Sequence, residues 1–567
     1  MQKTILLVLI SLISFSSCSQ NIKDTHLGNY VGQLPDKNAF NFDVSLTILS
    51  DDNYTVRLSN SKEIFNKALA ISENGKFEYT SDDFGFSFKP DESNEFLKGY
   101  IHSGTFYYYL ILQKSEGYSY TGQWNAFMVN NGLYSTEIFL NVDFYNNQIE
   151  AYPFLADQRF RGFYSKDFKL DSNTLKFRDS NVGLNMTAIF EEKSVVLRMY
   201  LLDNLIAETT LDYYDKYWEP EVPENSNLQS TNTPQNLNDG WMIGSLEDVQ
   251  INPEPISIMI DSIKKKSLVN IHSVLIAKEN KLVFETYFDG FNTNIPHDLR
   301  SASKSISSAI IGIAVDDGVI GSVDENLYDF IPSEYQYTKD SLKSKIKLKH
   351  LLTMSSGLAV NEQASENNYQ SNSSPWLKTV LEAPMVNEPG TYADYGSANP
   401  FLLGVYLNER LNIPLQTYMD DKLFTPLGFT NYINFTDDSD DLAYFGGGML
   451  LTPRDMLKFG QLYLNKGRWN GKQIISENWV KESFGKYVRL QDYPDKNQYG
   501  YLWWHDTYEV NGKKIETIEA RGAGGQFIFI VPELESVVVI TAGNYRNRKG
   551  NQSREIFRDY VLPALAN

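Results

Sequence analysis

A change of hydrophobic period divides this chain in two, and it constrains the fold more than any other feature. From about residue 28 to residue 217 the apolar residues return at every second position. Phe42, Val44, Leu46 and Ile48 alternate with Asp43, Ser45 and Thr47, and Tyr54, Val56 and Leu58 alternate with Thr55 and Arg57. Half-buried antiparallel strands read this way, and no long helical pattern interrupts them. The block also echoes itself: Tyr30-Val31-Gly32-Gln33-Leu34 returns as Tyr120-Thr121-Gly122-Gln123-Trp124, and the strand at Phe42 has a counterpart in Ile138, Leu140, Val142 and Phe144. Two β repeats of roughly 90 residues are expected, as a barrel or a pair of small sandwiches. Nothing in the block gathers Ser, Lys, His or carboxylates in a catalytic pattern, so it reads as an accessory structural or binding module.

Beyond the block, Glu219-Pro220-Glu221-Val222-Pro223 and the polar stretch Glu224 to Asp239 have the composition of an exposed connection. Few contacts are expected to cross such a linker, so the segment from about 240 to 567 should fold without the module. After Trp241 the texture changes. Ser273 to Phe288 reads as a hairpin turning near Glu279-Asn280, and Gln526 to Ala542 as another turning at Pro532-Glu533. Helical patterns lie between them, among them Ile306 to Val315, closed by Gly318, and Arg454 to Asn465. Strands at both ends with helices between describe an α+β domain whose sheet joins its two termini. The expected organisation is an all-β accessory domain over 18–217, a linker over 218–240 and a catalytic domain over 241–567.

Residues 1–17 form a leader: Lys3 supplies a small positive region, Ile5 to Ile13 an apolar one too short to span a bilayer, and Phe15-Ser16-Ser17-Cys18 follows. Small residues directly before a cysteine resemble the bacterial lipoprotein signal. That resemblance implies cleavage, lipid attachment at Cys18, and a protein anchored in a bacterial cell envelope, periplasmic or outer-membrane associated. Cys18 is the only cysteine, which excludes an internal disulfide and any multi-cysteine metal site. A net charge of −20 with no basic block repels a polyphosphate backbone, so nucleic acid is not an expected partner. Neither H-E-x-x-H nor G-x-S-x-G occurs, and no metal or cofactor is expected. His297, His350 and His505 read as structural.

Chemistry concentrates in three short stretches. The first is Ser301-Ala302-Ser303-Lys304. The S-x-x-K spacing also occurs at Ser59/Lys62, Ser262/Lys265, Ser344/Lys347 and Ser483/Lys486, but only the Ser301 quartet follows a strand hairpin and opens a helix apolar on nearly every face. Residues three apart on a helix are neighbours, which brings the Lys304 amine to the Ser301 hydroxyl. Desolvation and the positive end of the helix dipole favour the neutral amine that a base requires. The second stretch, Tyr395-Gly396-Ser397, lies on a loop before the apolar run Phe401-Leu402-Leu403, placed to aim a phenol and a hydroxyl into a cleft. The third, Ala520-Arg521-Gly522-Ala523-Gly524-Gly525-Gln526, precedes the hairpin Phe527 to Ile540; its glycines let a substrate approach a strand backbone whose N–H groups bind an oxyanion.

In this order, over about residues 238 to 567, the three stretches resemble the serine β-lactamase and penicillin-binding-protein superfamily, more narrowly its class C-like esterases and 6-aminohexanoate-dimer hydrolase-like enzymes. Leu351-Leu352-Thr353-Met354-Ser355-Ser356-Gly357, Thr452-Pro453-Arg454-Asp455 and Tyr499-Gly500-Tyr501-Leu502-Trp503-Trp504 look like the family's framework. The resemblance implies a β-lactamase/transpeptidase-like domain in which Ser301 is acylated, Lys304 is its base, and Tyr395 is the acid/base on the opposite side. It assigns the oxyanion-hole N–H groups to Ser301 and Ala523, and substrate contacts to Ser397, Gly522, Gly524, Gly525 and Gln526. The implied substrate is a small ester, amide or peptide-like molecule. Two positions depart from the pattern: Ser397 replaces the usual Asn, and Ala520 the usual Lys or His. Without that cation β-lactams are expected to be poor substrates. A β-lactamase, a peptidase acting at D-amino acids on cell-wall-like substrates, and a non-catalytic surface binding lipoprotein remain the competing readings.

Overall fold

The alternation in the first half becomes strands with one buried face: Asn41–Ile48 buries Phe42, Val44 and Leu46 and turns Asp43 outward. The structure, a computed structural model, describes residues 26–566 except 73, 130–131, 146, 161, 217, 219–231, 361–369, 371–373, 438–441 and 494–496. The leader, Cys18 and most of the linker fall outside the described residues.

Two antiparallel β units occupy the N-terminal region. The first runs from Asn41–Ile48 to Ser119–Asn125, its last strand lying between Phe106–Lys114 and Asn41–Ile48. The second runs from Glu137–Tyr145 to Asn204–Tyr214, and Gly28–Gln33, the earliest described strand, sits between these two. Self-contained repeats of 90 residues are therefore not what forms. The strand of Tyr30 pairs in the second unit, Tyr30 opposite Leu140, while the strand of Tyr120 pairs in the first, Tyr120 opposite Leu46. The leading strands of the two echoed segments have changed places, because each edge is completed by whichever strand can pair with it.

The expectation of few crossing contacts is also corrected. Tyr432–Phe435, a strand of the second half, pairs antiparallel with Phe106–Lys114, Ile433 opposite Tyr108. Met449–Leu451 and His297–Asp298 continue the same sheet. Aromatic side chains reinforce the seam: Tyr109 stacks on Tyr432 at 4.7 Å, and the Tyr100 hydroxyl lies 3.2 Å from that of Tyr432. Cross-strand aromatic pairs of this kind contribute about 0.2–1 kcal/mol each.

The second half is built on a nine-stranded sheet. Ile271–Lys278 and Lys281–Tyr287 form the first expected hairpin, Gln526–Val531 and Ser536–Ala542 the second, and Ile271–Lys278 pairs with Ser536–Ala542. Both faces are covered, so these strands read as continuous apolar runs. Helix Pro253–Lys264 and the C-terminal helices pack on one face, where Phe557 stacks on Phe529 at 4.0 Å. Helix Pro453–Leu464 packs on the other, and helix Ser303–Asp316, buried at every position from Ser303 to Ala314, meets strand Lys513–Gly522 and helix Ala398–Asn408. No described helix is long and apolar enough to cross a membrane.

Candidate active site

Ser301 sits in the 3₁₀ turn Arg300–Ala302 that leads into the buried helix Ser303–Asp316. Arg300, directly before it, has φ 49°, the left-handed region that costs a non-glycine residue about 1–3 kcal/mol and recurs at functional sites. Asp298 holds this conformation from two sides: one carboxylate oxygen accepts from the Arg300 backbone N–H at 3.0 Å, and the other lies 2.7 Å from the guanidinium. The guanidinium also stacks over the Tyr545 ring at 4.6 Å.

One helical turn later the Lys304 side chain is 1% exposed, and its Nζ has three oxygens at hydrogen-bond distance. These are Ser301 Oγ at 2.7 Å, Ser397 Oγ at 2.9 Å and the Gly446 carbonyl at 2.6 Å. The i, i+3 spacing thus delivers the expected serine–lysine pair. Lys304 Nζ also lies 5.0 Å from the centroid of the Tyr395 ring, so the phenol of the second motif shares the lysine's pocket. Ser397 is 1% exposed, and its hydroxyl bonds Lys304 instead of facing a binding surface as expected.

The loop carrying Tyr395 is fixed by the framework motifs. Asp394 N–H donates to the Met354 carbonyl and Gly390 N–H to that of Ser355, while Leu502 N–H donates to the Leu352 carbonyl and the Leu502 carbonyl accepts from Ser305. Tyr395 packs against Tyr493, Tyr499 and Trp504 at 5.2–6.2 Å between centroids, an aromatic wall in which Tyr499 and Trp504 belong to a framework stretch and Tyr493 gave no signal in the sequence. Beside it Asp394 and Asp492 hydrogen-bond to each other, and burial raises both carboxyls above their ordinary range.

The third motif reaches Ser301 as the end of strand Lys513–Gly522. A Cβ on Gly522 would come within 2.1 Å of the Leu299 carbonyl, so only glycine lets this strand meet the Ser301 turn. Ala523 follows, exposed at the junction. Ala520 and Arg521 point to opposite faces. Ala520 joins the core on the helical side, while Arg521 pairs with Glu519 and Asp506, both at 2.7 Å. The remainder of the motif is corrected. The Gln526 side chain is fully buried and clamps the Ala542 backbone, donating to its carbonyl and accepting from its N–H. The Gly525 carbonyl accepts from Ser553 of the C-terminal helix, and Gly524, at φ 84°, lies against the Tyr545 ring. These three hold the turn and do not present a binding surface. Gly446 is the contact of Lys304 that sequence reasoning missed. Its signal is the run Gly446-Gly447-Gly448 before strand Met449–Leu451.

The histidines have other partners. His350 accepts the Lys347 N–H at the start of a helix. His272 and His297 hydrogen-bond to each other at 2.7 Å, and burial lowers both, His297 to about 4. No cluster of three or more metal-binding side chains occurs among the described residues.

An internal serine–lysine helix beside an antiparallel sheet that joins the domain's termini defines the β-lactamase/transpeptidase-like class of fold. The match to the family described as Beta-lactamase runs over residues 272–560, and the chain belongs to that family. The 6-aminohexanoate-dimer hydrolase of Paenarthrobacter ureafaciens is 22% identical over 287 residues, 47% of this chain and 70% of that protein. Beta-lactamase-like protein 4 of Dictyostelium discoideum is 25% identical over 274 residues, 40% of this chain and 48% of that one. Among solved structures, the penicillin-binding protein of Bacillus halodurans aligns with a TM-score of 0.40 at 19% identity, covering 52% of this chain and 95% of that one. The β units before residue 217 lie outside the family match.

Proposed function

We propose that the chain is a serine hydrolase that cleaves small esters or amides through an acyl-enzyme on Ser301. One observation carries the reading: a buried amine 2.7 Å from the hydroxyl of a serine that opens an internal helix. A neutral Lys304 has two N–H groups and one lone pair. The Gly446 carbonyl can only accept, so one N–H goes there and the second goes to Ser397, which leaves the lone pair for the Ser301 proton. Ser301 Oγ then bonds the substrate carbonyl carbon as its proton moves to Lys304. Charge develops on the carbonyl oxygen, for which the N–H groups of Ser301 and Ala523 are the donors. Tyr395 passes a proton to the leaving group as the carbon–heteroatom bond breaks, and water releases the acid by the reverse relay. The likeness to 6-aminohexanoate-dimer hydrolase supports a hydrolytic reaction. The leader supports export and lipid attachment at Cys18 in a bacterial envelope.

Ser301→Ala should lower kcat for p-nitrophenyl butyrate by several powers of ten and abolish labelling by a fluorophosphonate. A rate within tenfold of wild type would remove Ser301 as the nucleophile.

A further inference from the structure

A cavity of about 320 Å³ opens between the second β unit and the catalytic domain, immediately beside the nucleophile's turn. Arg300, the residue before Ser301, is one wall. Tyr545, whose ring closes on Gly524 at the end of the third motif, is another. The β unit supplies Phe154, Gln158 and Phe160 from the opposite side, and Phe291 of the catalytic domain completes an aromatic enclosure. Its volume falls at the lower end of the range for small-molecule sites, about 300–1,000 Å³.

The charged groups that face the cavity are already neutralised. Arg300 is ion-paired with Asp298 at 2.7 Å, and Arg159 with the buried Asp157 at 2.6 Å. The two histidines in its wall, His272 and His297, hydrogen-bond to each other. An enclosure of four aromatic rings without net charge binds apolar groups and disfavours ions, because a desolvated charge there would lack a partner. From these walls and this position we infer that the cavity receives the uncharged aromatic or branched apolar end of the hydrolase's substrate, gripped between β unit and catalytic domain. The inference rests on the hydrolase reading above and gives the N-terminal region a part in substrate selection.

Gln158 has an exposed side chain, and its backbone N–H donates to the Tyr134 hydroxyl, a bond that a substitution retains. Gln158→Trp should fill the cavity from its mouth, and Phe154→Ala should remove a wall from a partly exposed position. The readout is the ratio of kcat/KM for p-nitrophenyl 4-phenylbutyrate to that for p-nitrophenyl acetate. It should fall at least tenfold in Gln158→Trp and at least threefold in Phe154→Ala, with melting temperatures confirming the fold. A second arm needs no turnover: calorimetric titration of Ser301→Ala protein with 4-phenylbutanamide, expected to weaken at least tenfold when Gln158→Trp is added. Ratios and affinities unchanged by either substitution, or no binding of the amide at all, would overturn the subsite. If wild type cleaves neither ester while the amide still binds in a Gln158-dependent way, the hydrolase reading fails and the cavity stands as an apolar ligand site.

Discussion

Lys304 is surrounded by oxygens that do not share one role. The Gly446 carbonyl is a fixed acceptor, whereas the Ser397 hydroxyl can accept from the amine or donate to it as the proton moves. Ser397→Ala should therefore lower kcat for p-nitrophenyl butyrate by roughly 10–100-fold with little change in KM, the worth of one hydrogen bond to a charged group. A change confined to KM would return Ser397 to substrate binding. Tyr395→Phe should cost about 10²–10⁴-fold in kcat, as removal of a general acid–base group does. A steady-state rate unchanged when chemistry limits turnover would leave Tyr395 as a wall. A third residue governs stability. His297 titrates near 4 in the fold because burial disfavours its charged form, and near 6.5 when unfolded. Between those values the unfolded chain holds more protons, so the histidine's full contribution is present above pH 6.5 and is lost as the pH falls toward 4. Between pH 7 and pH 5 this one group should cost on the order of 1–2 kcal/mol. His297→Asn should flatten the difference between urea midpoints at the two pH values; a difference as large as in wild type would place its source elsewhere. At this scale the sequence revealed Ser301 and Lys304, since helical periodicity alone brings them together. For Gly446, whose carbonyl arrives from 142 residues away, it offered only a glycine run with no link to Lys304, and it gave no sign that Gln526 serves the backbone.

Among the elements, helix Pro453–Leu464 shows how a framework motif acts. Thr452 caps it by accepting the Asp455 N–H at 3.2 Å, and Pro453 sets the first turn. Arg454 then reaches back to the central sheet with a two-point contact to the buried Glu285, and it also binds Asp239 and the Gln235 carbonyl at the end of the linker. Arg454→Met should destabilise the protein by about 3–5 kcal/mol in chemical denaturation, because Glu285 would keep its burial and lose its counterion. A loss under 1 kcal/mol would show that water reaches Glu285. Both catalytic-domain hairpins and this helix were legible because their periods and turn residues are local: Glu279 and Asn280 both take positive φ where the first hairpin reverses. Tyr432–Phe435 was not legible. It is four residues long and buried at each position, so it shows neither alternation nor the length that separates a strand from a helix fragment.

For the whole molecule, the pairing of Phe106–Lys114 with Tyr432–Phe435 reverses the expectation that residues 240–567 fold alone. Removing the β units would expose Tyr432, Ile433 and Phe435 along an unpaired strand edge. The next strand of that sheet, Met449–Leu451, follows the Gly446 carbonyl that holds Lys304, and its partner His297–Asp298 runs into Ser301. A fragment beginning at residue 240 should therefore aggregate, or remain soluble with kcat for p-nitrophenyl acetate at least tenfold lower. Size-exclusion chromatography with an esterase assay decides between these outcomes and a monomeric, fully active fragment, which would show the seam to be dispensable. The linker's polar composition says nothing about whether the segments on either side of it share a sheet.

The position of Gly28–Gln33 also has a consequence in time. This strand leaves the ribosome before the other described strands, yet its two neighbours are Glu137–Tyr145 and Asn204–Tyr214. At 5–20 residues per second the first neighbour emerges roughly 5–20 s later and the second roughly 10–35 s later. Until then the strand has no permanent berth, and Asn41–Ile48 beside it must find Ser119–Asn125 instead. The order of synthesis thus favours completion of the first β unit from consecutive strands, with strand Gly28–Gln33 returning last to close the second.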